Sequence, residues 1–520
     1  MPLDGPKLPG PAKLSDLIAQ ALIERPDDVA LVSGSEHWTW QNLDRSVRTL
    51  ASYYVGCGLE PGQSVASLMP NCGQLMIHYL ACLKAGLVSV PLNYRYTPPE
   101  IDYAMEKAGA ALLLVHGERA ADVAASARTG SLDHGIIGFD GQIPGSTRLE
   151  SVLQSETDAV SFQKVDESAP AFLFHTSGST GKPKAVMHNH RSFGAITASF
   201  AKAMLLTDDD VVFPGGSISH VGSLSTALAA FSVGSRVILS SGYDATMILP
   251  LLREQRPTVM VMLPSALIAL QHDHNASGDD FSSLRLCITG GDKFPLDQER
   301  EFAELTGLAI RETYGLTEAT DCLVDPPDQP VRPGSVGVLS PGYRARLVDD
   351  KGNEVPVGTD GNLLLSGDPV APGYWQDQDA NAAAFVDGWF KTGDVMQVDG
   401  DGYFWFRGRK KQIIVHDGSN IAPQEIEEAV MAHSAIQLAG VVGVHDAVHG
   451  ENVWAYVSLR DGAERPTAQH VIDCARKTVG YKAPEVIIFV DEMPINATGK
   501  VDRLALKQMA ANRVSAHHNT

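Results

Sequence analysis

A ten-residue segment, HTSGSTGKPK at positions 175–184, brings together residue types that bind phosphate groups. It contains four Ser and Thr hydroxyls, two glycines and two lysines, and it follows the apolar run 171–174, which is typical of a buried strand. Glycines let backbone N–H groups approach a phosphate closely, and the hydroxyl and ammonium groups add donors. The segment is not a Walker loop, because only two residues separate its glycines and Pro183 follows Lys182. A polar surface loop is the alternative, but this composition favours a nucleotide phosphate site.

The same segment, extended to Ala185, resembles the phosphate-loop signature of the adenylate-forming superfamily, which comprises acyl-CoA synthetases, carrier-protein adenylation domains and beetle luciferases. The superfamily usually has Gly where this chain has Ala185. The resemblance implies that the loop binds ATP through Thr176, Ser177, Gly178, Ser179, Thr180, Gly181, Lys182 and Lys184.

A second match is ETYGLTE at 312–318, which resembles the segment where an aromatic ring packs near adenine, a Thr reaches phosphate and a Glu helps to hold Mg²⁺. The resemblance implies ATP-binding roles for Glu312, Thr313, Tyr314 and Thr317, and a catalytic, metal-holding role for Glu318. Mg²⁺ prefers oxygen ligands and bridges phosphates, so one carboxylate, ATP oxygens and waters make a suitable shell. A lone Glu would more often be a solvated surface residue.

Two further segments resemble parts of the superfamily that surround the acid substrate. TGGD at 289–292 resembles a strand-end turn that lines the adenine and acyl pockets, with Ala or Glu more usual than Asp at its last position. SISHVG at 217–222 resembles the segment whose His220 sits beside the substrate carboxylate and is catalytic; a buried structural His is the alternative. The resemblance implies an ATP-binding role for Gly291. The implied acyl-pocket residues are Val221, Gly222, Gly290, Asp292, Gly315 and Leu316.

The remaining matches lie after position 388. WFKTGD at 389–394 resembles the motif whose carboxylate, here Asp394, accepts both ribose hydroxyls, which orients the nucleotide strongly. Arg409 resembles an Arg that contacts ribose and phosphate, although RGRKK alone would suit a surface or nucleic-acid patch. Lys411 stands at the superfamily's hinge position. Gly418 and Ser419 resemble residues of the CoA tunnel, where the usual form has a second glycine in place of Asp417.

NATGKVDR at 496–503 resembles the loop that bears the catalytic lysine, here Lys500. A surface lysine is the alternative. His188 and His190 are interpreted as structural, because they lack a third ligand-like partner. The sequence shows no metal-binding His cluster, no paired glycosidase carboxylates and no nucleophile elbow.

The elements that must position these residues follow an alternating pattern. Short apolar runs separated by helical stretches lie at 29–32, 65–69, 88–92, 111–115, 171–174, 236–239, 259–262 and 284–288. This alternation predicts an α/β fold of mostly parallel sheets covered by helices. After Arg332, Gly and Asp become frequent between short β-rich runs, which predicts hairpins and a small β-barrel-like part.

A second α/β pattern begins after the basic turn at 407–411. It predicts a helix at 423–431, strands at 438–444 and 453–459, and a helix after Ala468. We therefore expect a large N-terminal ATP- and acid-binding domain at 1–408, a hinge at 409–411, and a small mobile C-terminal α/β domain at 412–520 that carries the catalytic lysine.

Composition limits the classes of partner. The 520 residues include 41 Lys and Arg against 62 Asp and Glu, a formal charge of −21, so the chain has no global electrostatic reason to bind nucleic acid or an anionic membrane. Positive charge for an anionic substrate must be placed locally. No apolar run is long enough for a membrane span. Six scattered cysteines without a CxxC pair predict buried free thiols and a cytoplasmic protein. The oligomeric state is left open, a homodimer included.

The resemblance implies a two-step reaction with ATP, Mg²⁺ and coenzyme A. A carboxylic acid attacks the α-phosphorus of ATP to give an acyl-adenylate and pyrophosphate, and the acyl group is then transferred to CoA. The pocket segments offer small and aliphatic groups without an evident Arg or Lys, which favours an apolar fatty or aryl acid over a diacid. The alternatives are an adenylation enzyme that loads an acyl or aminoacyl group onto a carrier-protein pantetheine, a luciferase-like oxidase, and a non-enzymatic ATP-binding regulator.

Overall fold

The computed structural model describes residues 2–155, 160–176, 183–273, 275–292, 294–410, 412, 414–416, 419–446, 450–496 and 500–518. Within them the strands are β1 (Leu3–Asp4), β2 (Val29–Ser33), β3 (Glu36–Thr39), β4 (Ser64–Leu68), β5 (Val88–Pro91), β6 (Ala110–His116), β7 (Ile136–Phe139), β8 (Thr147–Arg148), β9 (Pro170–Thr176), β10 (Lys184–Asn189), β11 (Val211–Gly215), β12 (Arg236–Leu239), β13 (Val259–Met262), β14 (Leu286–Gly290), β15 (Ile310–Leu316), β16 (Ala319–Val324), β17 (Val338–Leu339), β18 (Tyr343–Val348), β19 (Gly361–Gly367), β20 (Gly373–Tyr374), β21 (Phe385–Val386), β22 (Trp389–Val398), β23 (Phe404–Arg409), β24 (Ile414–His416), β25 (Ser419–Ile421), β26 (Ile436–Asp446), β27 (Gly450–Leu459) and β28 (Val486–Phe489).

The α-helices of the same residues are α1 (Ala19–Glu24), α2 (Trp40–Gly56), α3 (Gly73–Ala85), α4 (Pro98–Ala108), α5 (Ala120–Ala125), α6 (Leu149–Gln154), α7 (His190–Ala203), α8 (Val221–Ser232), α9 (Ala245–Gln255), α10 (Pro264–Gln271), α11 (Leu296–Thr306), α12 (Gln378–Ala384), α13 (Pro423–Met431), α14 (Ala468–Val479) and α15 (Arg503–His518). Short 3₁₀ turns occur at Leu14–Asp16, Gly117–Arg119, Thr129–Ser131, Gly278–Phe281 and Gly480–Lys482.

Two large sheets form the first part of the chain. One has the strand order β20-β10-β9-β5-β4-β6-β7-β8, and the other has the order β17-β16-β15-β14-β13-β11-β12-β2-β3. In the first sheet, all neighbouring strands from β9 through to β8 in this order are parallel, and in the second sheet the same holds from β15 through to β2. The antiparallel pairs lie at the edges of the sheets. This arrangement confirms the predicted α/β class.

A layer of helices between these two sheets forms the main core. Helices α3 and α8 are buried on nearly every side, and one apolar cluster joins them to α2, α7 and to strands of both sheets. Helices that are apolar all round belong in the interior. Helix α8 begins immediately after His220, so this central layer holds one candidate site residue in place.

The β-rich part expected after Arg332 is an antiparallel six-stranded sheet. Its order is β1-β18-β19-β22-β21, with β23 also paired to β22, and within the described residues this order is open rather than a closed barrel. The strand β1 comes from the start of the chain: Leu3 pairs with Ala345, and the carboxylate of Asp4 lies 2.8 Å from Arg344 Nε.

The last part of the chain forms a separate sheet with the order β25-β24-β27-β26, and β28 is paired in parallel to β27. Helices α13 and α14 cover it, and its apolar cluster contains only residues from position 414 onward. Helix α13 has the predicted bounds, and the predicted strands 438–444 and 453–459 lie inside β26 and β27.

All six cysteines carry free thiols, as predicted. Cys82, Cys287 and Cys322 are buried, whereas the other three are half-buried, so the expectation of burial was wrong for those three, which lie near helix ends or on the partly exposed helix α14. None of the helices in the described part of the chain is long and apolar enough to span a membrane.

Candidate functional site

The phosphate-loop candidate connects two antiparallel strands. Thr176 ends β9 and is paired with Lys184, the first residue of β10, whose backbone oxygen lies 3.5 Å from the Thr176 hydroxyl. Tyr103 of α4 donates to the backbone oxygen of Pro183 at 2.8 Å and so fixes the chain where it enters β10. The candidates between these strands lie outside the described residues: Ser177, Gly178, Ser179, Thr180, Gly181 and Lys182.

The predicted ribose acceptor Asp394 lies in β22 and is fully buried. Its Oδ2 accepts a 2.5 Å hydrogen bond from the hydroxyl of Tyr314, and its Oδ1 lies 3.1 Å from Arg409 Nε, across the β22–β23 pair. Apart from that ion pair, Oδ1 has no hydrogen-bond partner among the described residues. Burial raises the pKa of Asp394, whereas Arg409 and Tyr314 oppose this rise. The arrangement leaves a buried acceptor that suits ribose hydroxyls.

An aromatic pair lies next to this carboxylate. The rings of Tyr314 and Phe406 are 5.8 Å apart between centroids and inclined by 36°. Gly291, after the end of β14, has a φ of +87°, a conformation that glycine adopts without a steric penalty. These residues provide a flat apolar surface and a close backbone approach of the kind that a purine base needs.

Glu318 lies between the two large sheets, in the tight turn that joins β15 to β16. Its Oε1 accepts a 2.7 Å hydrogen bond from Tyr374 of β20, and the ring of Tyr374 lies 4.5 Å from the ammonium of Lys184. The neighbouring Thr317 offers its backbone oxygen to His188 Nε2 at 2.8 Å. Burial lowers the pKa of His188 to about 4, so the ring is neutral and serves as a hydrogen-bond donor. This supports the structural interpretation of His188.

His220 immediately precedes α8 and lines a cavity of about 60 Å³ that also contacts His175, Asn93 and Thr317. The cavity therefore joins the end of β9, which precedes the phosphate-loop candidate, to the start of α8. Burial, and then the positive charges of Lys500 and Arg95, lower the pKa of His220. A neutral imidazole beside two cations is a suitable place for a carboxylate.

Lys500 comes from the C-terminal part of the chain and lies half-buried at the same site. Burial lowers the pKa of its ammonium, and the charges of Asp292 and Asp394 oppose this effect. Asn496 Oδ1 accepts a 3.1 Å hydrogen bond from the Lys500 backbone N–H. A second contact between the two parts of the chain joins Gln424 Nε2 to Asp292 Oδ1 at 3.4 Å.

The acyl-pocket candidates occupy three adjoining places. Val221 and Gly222 form the first turn of α8, Gly290 ends β14, and Gly315 and Leu316 end β15. Asp292, the sixth candidate, is exposed and faces Gln424. Glu312 and Thr313 are buried in β15 beside β14.

Two more predicted positions, Lys411 and Gly418, lie outside the described residues, and Ser419 begins β25. Among the residues that the structure describes, no group of three or more His, Cys, Asp or Glu side chains is arranged to hold a metal ion.

Sequence reasoning missed several residues of this site. Tyr374 donates a hydrogen bond to Glu318, and the positive charge of Arg95 acts on His220. Asn71 holds the turn before α8: its side chain accepts from Ile218 N at 2.9 Å and donates to Gly216 O at 2.9 Å. A Tyr or Arg outside any ligand-like cluster gives no local signal; only the pairing of β20 with β10 brings Tyr374 to Glu318.

Comparison with known proteins agrees with this geometry. The sequence profile of AMP-binding enzymes matches residues 18–375, and the profile of the AMP-binding enzyme C-terminal domain matches residues 425–500. The chain is 32% identical to a feruloyl-CoA synthase of an Amycolatopsis species over 486 residues, covering 92% of this chain and 94% of that protein. It is 31% identical to an indoleacetate–CoA ligase of Aromatoleum aromaticum over 506 residues, covering 96% and 99%.

A solved structure of an anthranilate CoA ligase in complex with anthranoyl-AMP superposes with a TM-score of 0.91 at 26% identity, covering 98% of this chain and 99% of the other. Both sequence and fold therefore match over almost the whole length. The chain belongs to the family of AMP-binding enzymes, the adenylate-forming superfamily that its phosphate-loop motif resembles.

Proposed function

We propose that the chain is an ATP-dependent, AMP-forming acid–thiol ligase that activates a carboxylic acid as its acyl-adenylate and transfers the acyl group to CoA. The observation that carries the proposal is the position of Lys500, which lies with Asp394, Arg409 and His220 in one site although it comes from the C-terminal part of the chain. Its relatives named as CoA ligases support CoA as the acceptor.

In the first step, a carboxylate oxygen attacks the α-phosphorus of ATP, and the bond to the pyrophosphate oxygen breaks. Two anions must meet, and at about 4 Å their repulsion is about 4 kcal/mol at an effective dielectric constant near 20. The Lys500 ammonium offsets this repulsion at the reacting phosphate, while neutral His220 orients the acid. Asp394 and Arg409 hold the ribose, so positioning and charge stabilisation supply the catalysis.

Mg²⁺ fits one position of this site. Glu318 uses only Oε1 in a hydrogen bond to the described residues, so its second carboxylate oxygen can be a metal ligand. When bound there with ATP oxygens and waters, the ion would neutralise phosphate charge. Tyr374 fixes the orientation of the Glu318 carboxylate.

In the second step, the thiol of CoA loses its proton, its sulfur bonds to the acyl carbon, and the bond from that carbon to the AMP oxygen breaks. Lys500 has no role in this step. We propose that residues 1–408 form the large domain and that a hinge at 409–411, centred on Lys411, lets residues 412–520 turn so that Gly418 and Ser419 line the CoA tunnel. The separate sheet and apolar cluster beyond position 414 support this division.

The acid that we propose is an aryl or fatty acid. The names of the relatives and of the matching solved structure refer to feruloyl, indoleacetate and anthranilate groups, which supports an aryl acid in particular. Aminoacyl activation has less support, because Asp292, the carboxylate that would pair with an ammonium group, faces Gln424 and Lys500 instead. The free thiols support a reducing, cytoplasmic setting.

One experiment tests the proposal. Pyrophosphate release is measured over a panel of aryl, fatty and amino acids, with CoA or a pantetheine-bearing carrier protein as acceptor. We expect release with at least one aryl or fatty acid and a thioester on CoA. Release with a thioester only on the carrier protein would establish the alternative acceptor, and no release with any acid would favour the non-enzymatic regulator.

The role of Lys500 is tested separately. Lys500→Ala should abolish adenylation and leave thioester formation from supplied acyl-adenylate largely intact. Lys507→Ala, which removes an exposed lysine from α15 of the same part of the chain, is the matched control and should leave both steps unchanged. Equal loss of both half-reactions in Lys500→Ala would contradict the assigned role.

A further inference from the structure

A half-buried carboxylate that the two-step reaction does not use lies directly beyond the Glu318 motif. Asp321, in β16, has a φ of +50°, in the left-handed region that non-glycine residues seldom adopt. Its backbone passes very close to Gly315: a Cβ at Gly315 would lie 2.4 Å from the backbone nitrogen of Asp321. The two strands β15 and β16 therefore hold Asp321 against the end of β15.

The side chain of Asp321 lies where the three predicted acyl-pocket segments meet. The hydroxyls of Ser225 and Thr313 are next to its carboxyl group. Ser225 lies one helical turn beyond Val221 and Gly222, on the same face of α8. Thr313 lies against Gly290, because a Cβ built on Gly290 would be 2.4 Å from the Oγ1 atom of Thr313. Asp321 thus faces the first turn of α8 and the ends of both β14 and β15.

One oxygen of the carboxyl group is left unsatisfied by the part of the protein that the structure describes. Its Oδ2 is buried and has no hydrogen-bond partner among the described residues. The Ser225 hydroxyl donates to Gly222 O at 2.8 Å, and the Thr313 hydroxyl is directed to Thr289 O at 3.5 Å, so both have other acceptors. Burial raises the pKa of Asp321 to about 7, with Thr313 and Ser225 opposing the rise. A buried acceptor without a donor costs free energy unless a ligand supplies one.

Open space lies at the first turn of α8, which borders the same acyl-pocket segments. A Cβ built on Gly222 meets no atom within 4 Å, although α8 is closely packed from Leu224 onward. The half-exposed residues of its first turn therefore border open space, and Asp321 lies one helical turn further along, beside Ser225. We propose that Asp321 is a specificity-determining residue, which accepts a hydrogen bond from a hydroxyl or amino group on the tail of the acid substrate.

This inference rests on the proposed function and narrows it: the acid is not a plain hydrocarbon but carries a hydrogen-bond donor away from its carboxylate. Discrimination of this kind is strong, because a site built to receive a donor is left with an unpaired buried group when the donor is missing. The test uses benzoates and cinnamates that carry a para-hydroxyl, para-amino or para-methyl group, which are similar in size.

The readout is the ratio of kcat/KM for pyrophosphate release between the donor-bearing acid and its methyl analogue. The wild-type protein should prefer a donor-bearing acid by about tenfold or more. Asp321→Gly removes the carboxyl group and tolerates the positive φ, and its ratio should fall to about one. Asp321→Asn keeps an acceptor but no charge; Asn also tolerates this φ, so this variant is expected to keep a preference for a hydroxyl or amino group over methyl.

Melting temperatures are measured for both variants to check that they are folded. If Asp321→Gly does not fold, the ratios of kcat/KM for Asp321→Asn and the wild type carry the test. A wild-type preference for the methyl acids, or the same ratio in the wild type and in Asp321→Gly, would overturn the inference. If no acid releases pyrophosphate, the proposed function fails, and the same acids are then titrated calorimetrically into the wild type and Asp321→Gly. Equal dissociation constants for donor and methyl acids in the wild type would overturn the inference, and a tenfold difference that disappears in Asp321→Gly would support it.

Discussion

The hydroxyl of Tyr374 donates a 2.7 Å hydrogen bond to Oε1 of Glu318, and this contact joins the edge of one large sheet to the other. Tyr374 lies in β20, which is paired with β10, whereas Glu318 lies between β15 and β16. The contact orients the one carboxylate that we assign to Mg²⁺, and the same ring lies against the ammonium of Lys184.

Removing this hydroxyl should therefore weaken the use of MgATP. A hydrogen bond to a charged group contributes about 1.5–3 kcal/mol, so Tyr374→Phe should lower kcat/KM for MgATP by roughly tenfold or more. The ring against Lys184 is retained. Steady-state pyrophosphate release at varied Mg²⁺ and ATP measures the effect. Tyr343→Phe is the control, because it removes a buried hydroxyl that donates to the backbone oxygen of Thr320, and it should change stability but not the dependence on Mg²⁺.

The ammonium of Lys500 should give adenylation an alkaline limit. Burial lowers its pKa, so the charged form is lost as pH rises at a lower pH than for a free lysine, whose pKa is about 10.4. The rate of adenylation should fall on the alkaline side. Asp292 opposes the lowering, and Asp292→Asn should move the inflection to lower pH. The pH profile of pyrophosphate release measures this shift.

Asp297→Asn is the matched control for that profile, since Asp297 pairs with Arg300 on the exposed face of α11. It should leave the inflection where it is in the wild type. An inflection that is the same in Asp292→Asn and the wild type would show that the carboxylate does not act on Lys500.

The C-terminal domain contains a partly buried ion pair in which Glu427 is the buried member. Glu427 of α13 accepts from Arg503 through both carboxylate oxygens, at 3.2 and 2.5 Å, and its Oε1 also accepts from Val441 N at 2.8 Å. Burial raises the pKa of Glu427, and Arg503 opposes the rise. Arg503→Leu leaves a buried charge without its partner and should cost about 3–5 kcal/mol of unfolding free energy.

Denaturant unfolding of the C-terminal domain measures this loss. Glu427→Gln combined with Arg503→Leu removes both charges, so part of the stability should return. A double variant as unstable as the Arg503→Leu single variant would mean that the loss comes from packing of the Arg503 side chain rather than from the uncompensated carboxylate.

Buried neutral histidines should make the protein sensitive to acid. Burial lowers the pKa of His78 to about 3 and of His188 and His190 to about 4. Between those values and about 6.5, each ring binds more protons in the unfolded chain than in the folded one, so the stability that these rings contribute is complete above about pH 6.5 and falls as pH decreases. Each ring contributes a slope of up to about 1.4 kcal/mol per pH unit.

Urea unfolding at pH 7 and pH 5 checks this dependence. His78→Gln removes one titrating ring and keeps a polar partner for the Tyr54 hydroxyl, which lies 2.7 Å from His78 Nδ1. The variant should show a smaller decrease in stability between the two pH values than the wild type. An equal change in stability for His78→Gln and the wild type would contradict the burial of this ring in its neutral form.

Much of the fold was predictable because its strands and helices have strong local periodicity. The run 236–239 is β12 and the run 259–262 is β13, and helix 423–431 has the same bounds as α13. The run 284–288 is displaced, since β14 spans Leu286–Gly290. Residue 286 is the first to pair with the neighbouring strand β13, and such pairing is decided by the sheet rather than by the local sequence.

The candidate site was predictable only where the chain carries a motif. Asp394 and Tyr314 belong to motifs that could be recognised separately, but the hydrogen bond between them spans 80 positions and follows from the packing of two sheets. Arg95, Tyr374 and Asp321 lie in no such pattern. Their roles depend on which strands become neighbours in the sheets, and no local sequence pattern indicates that pairing.

The pairing of β1 with β18 has a consequence for the order of events during synthesis. Asp4 and Arg344 are 340 positions apart in the chain. At a synthesis rate of about 5–20 residues per second, Arg344 is added to the chain roughly 20–70 s after Asp4. During that interval the first strand has no partner, and the six-stranded sheet cannot gain this edge until about two thirds of the chain has left the ribosome. Closing so long a loop is slow, which makes docking of the N-terminal segment a late folding event.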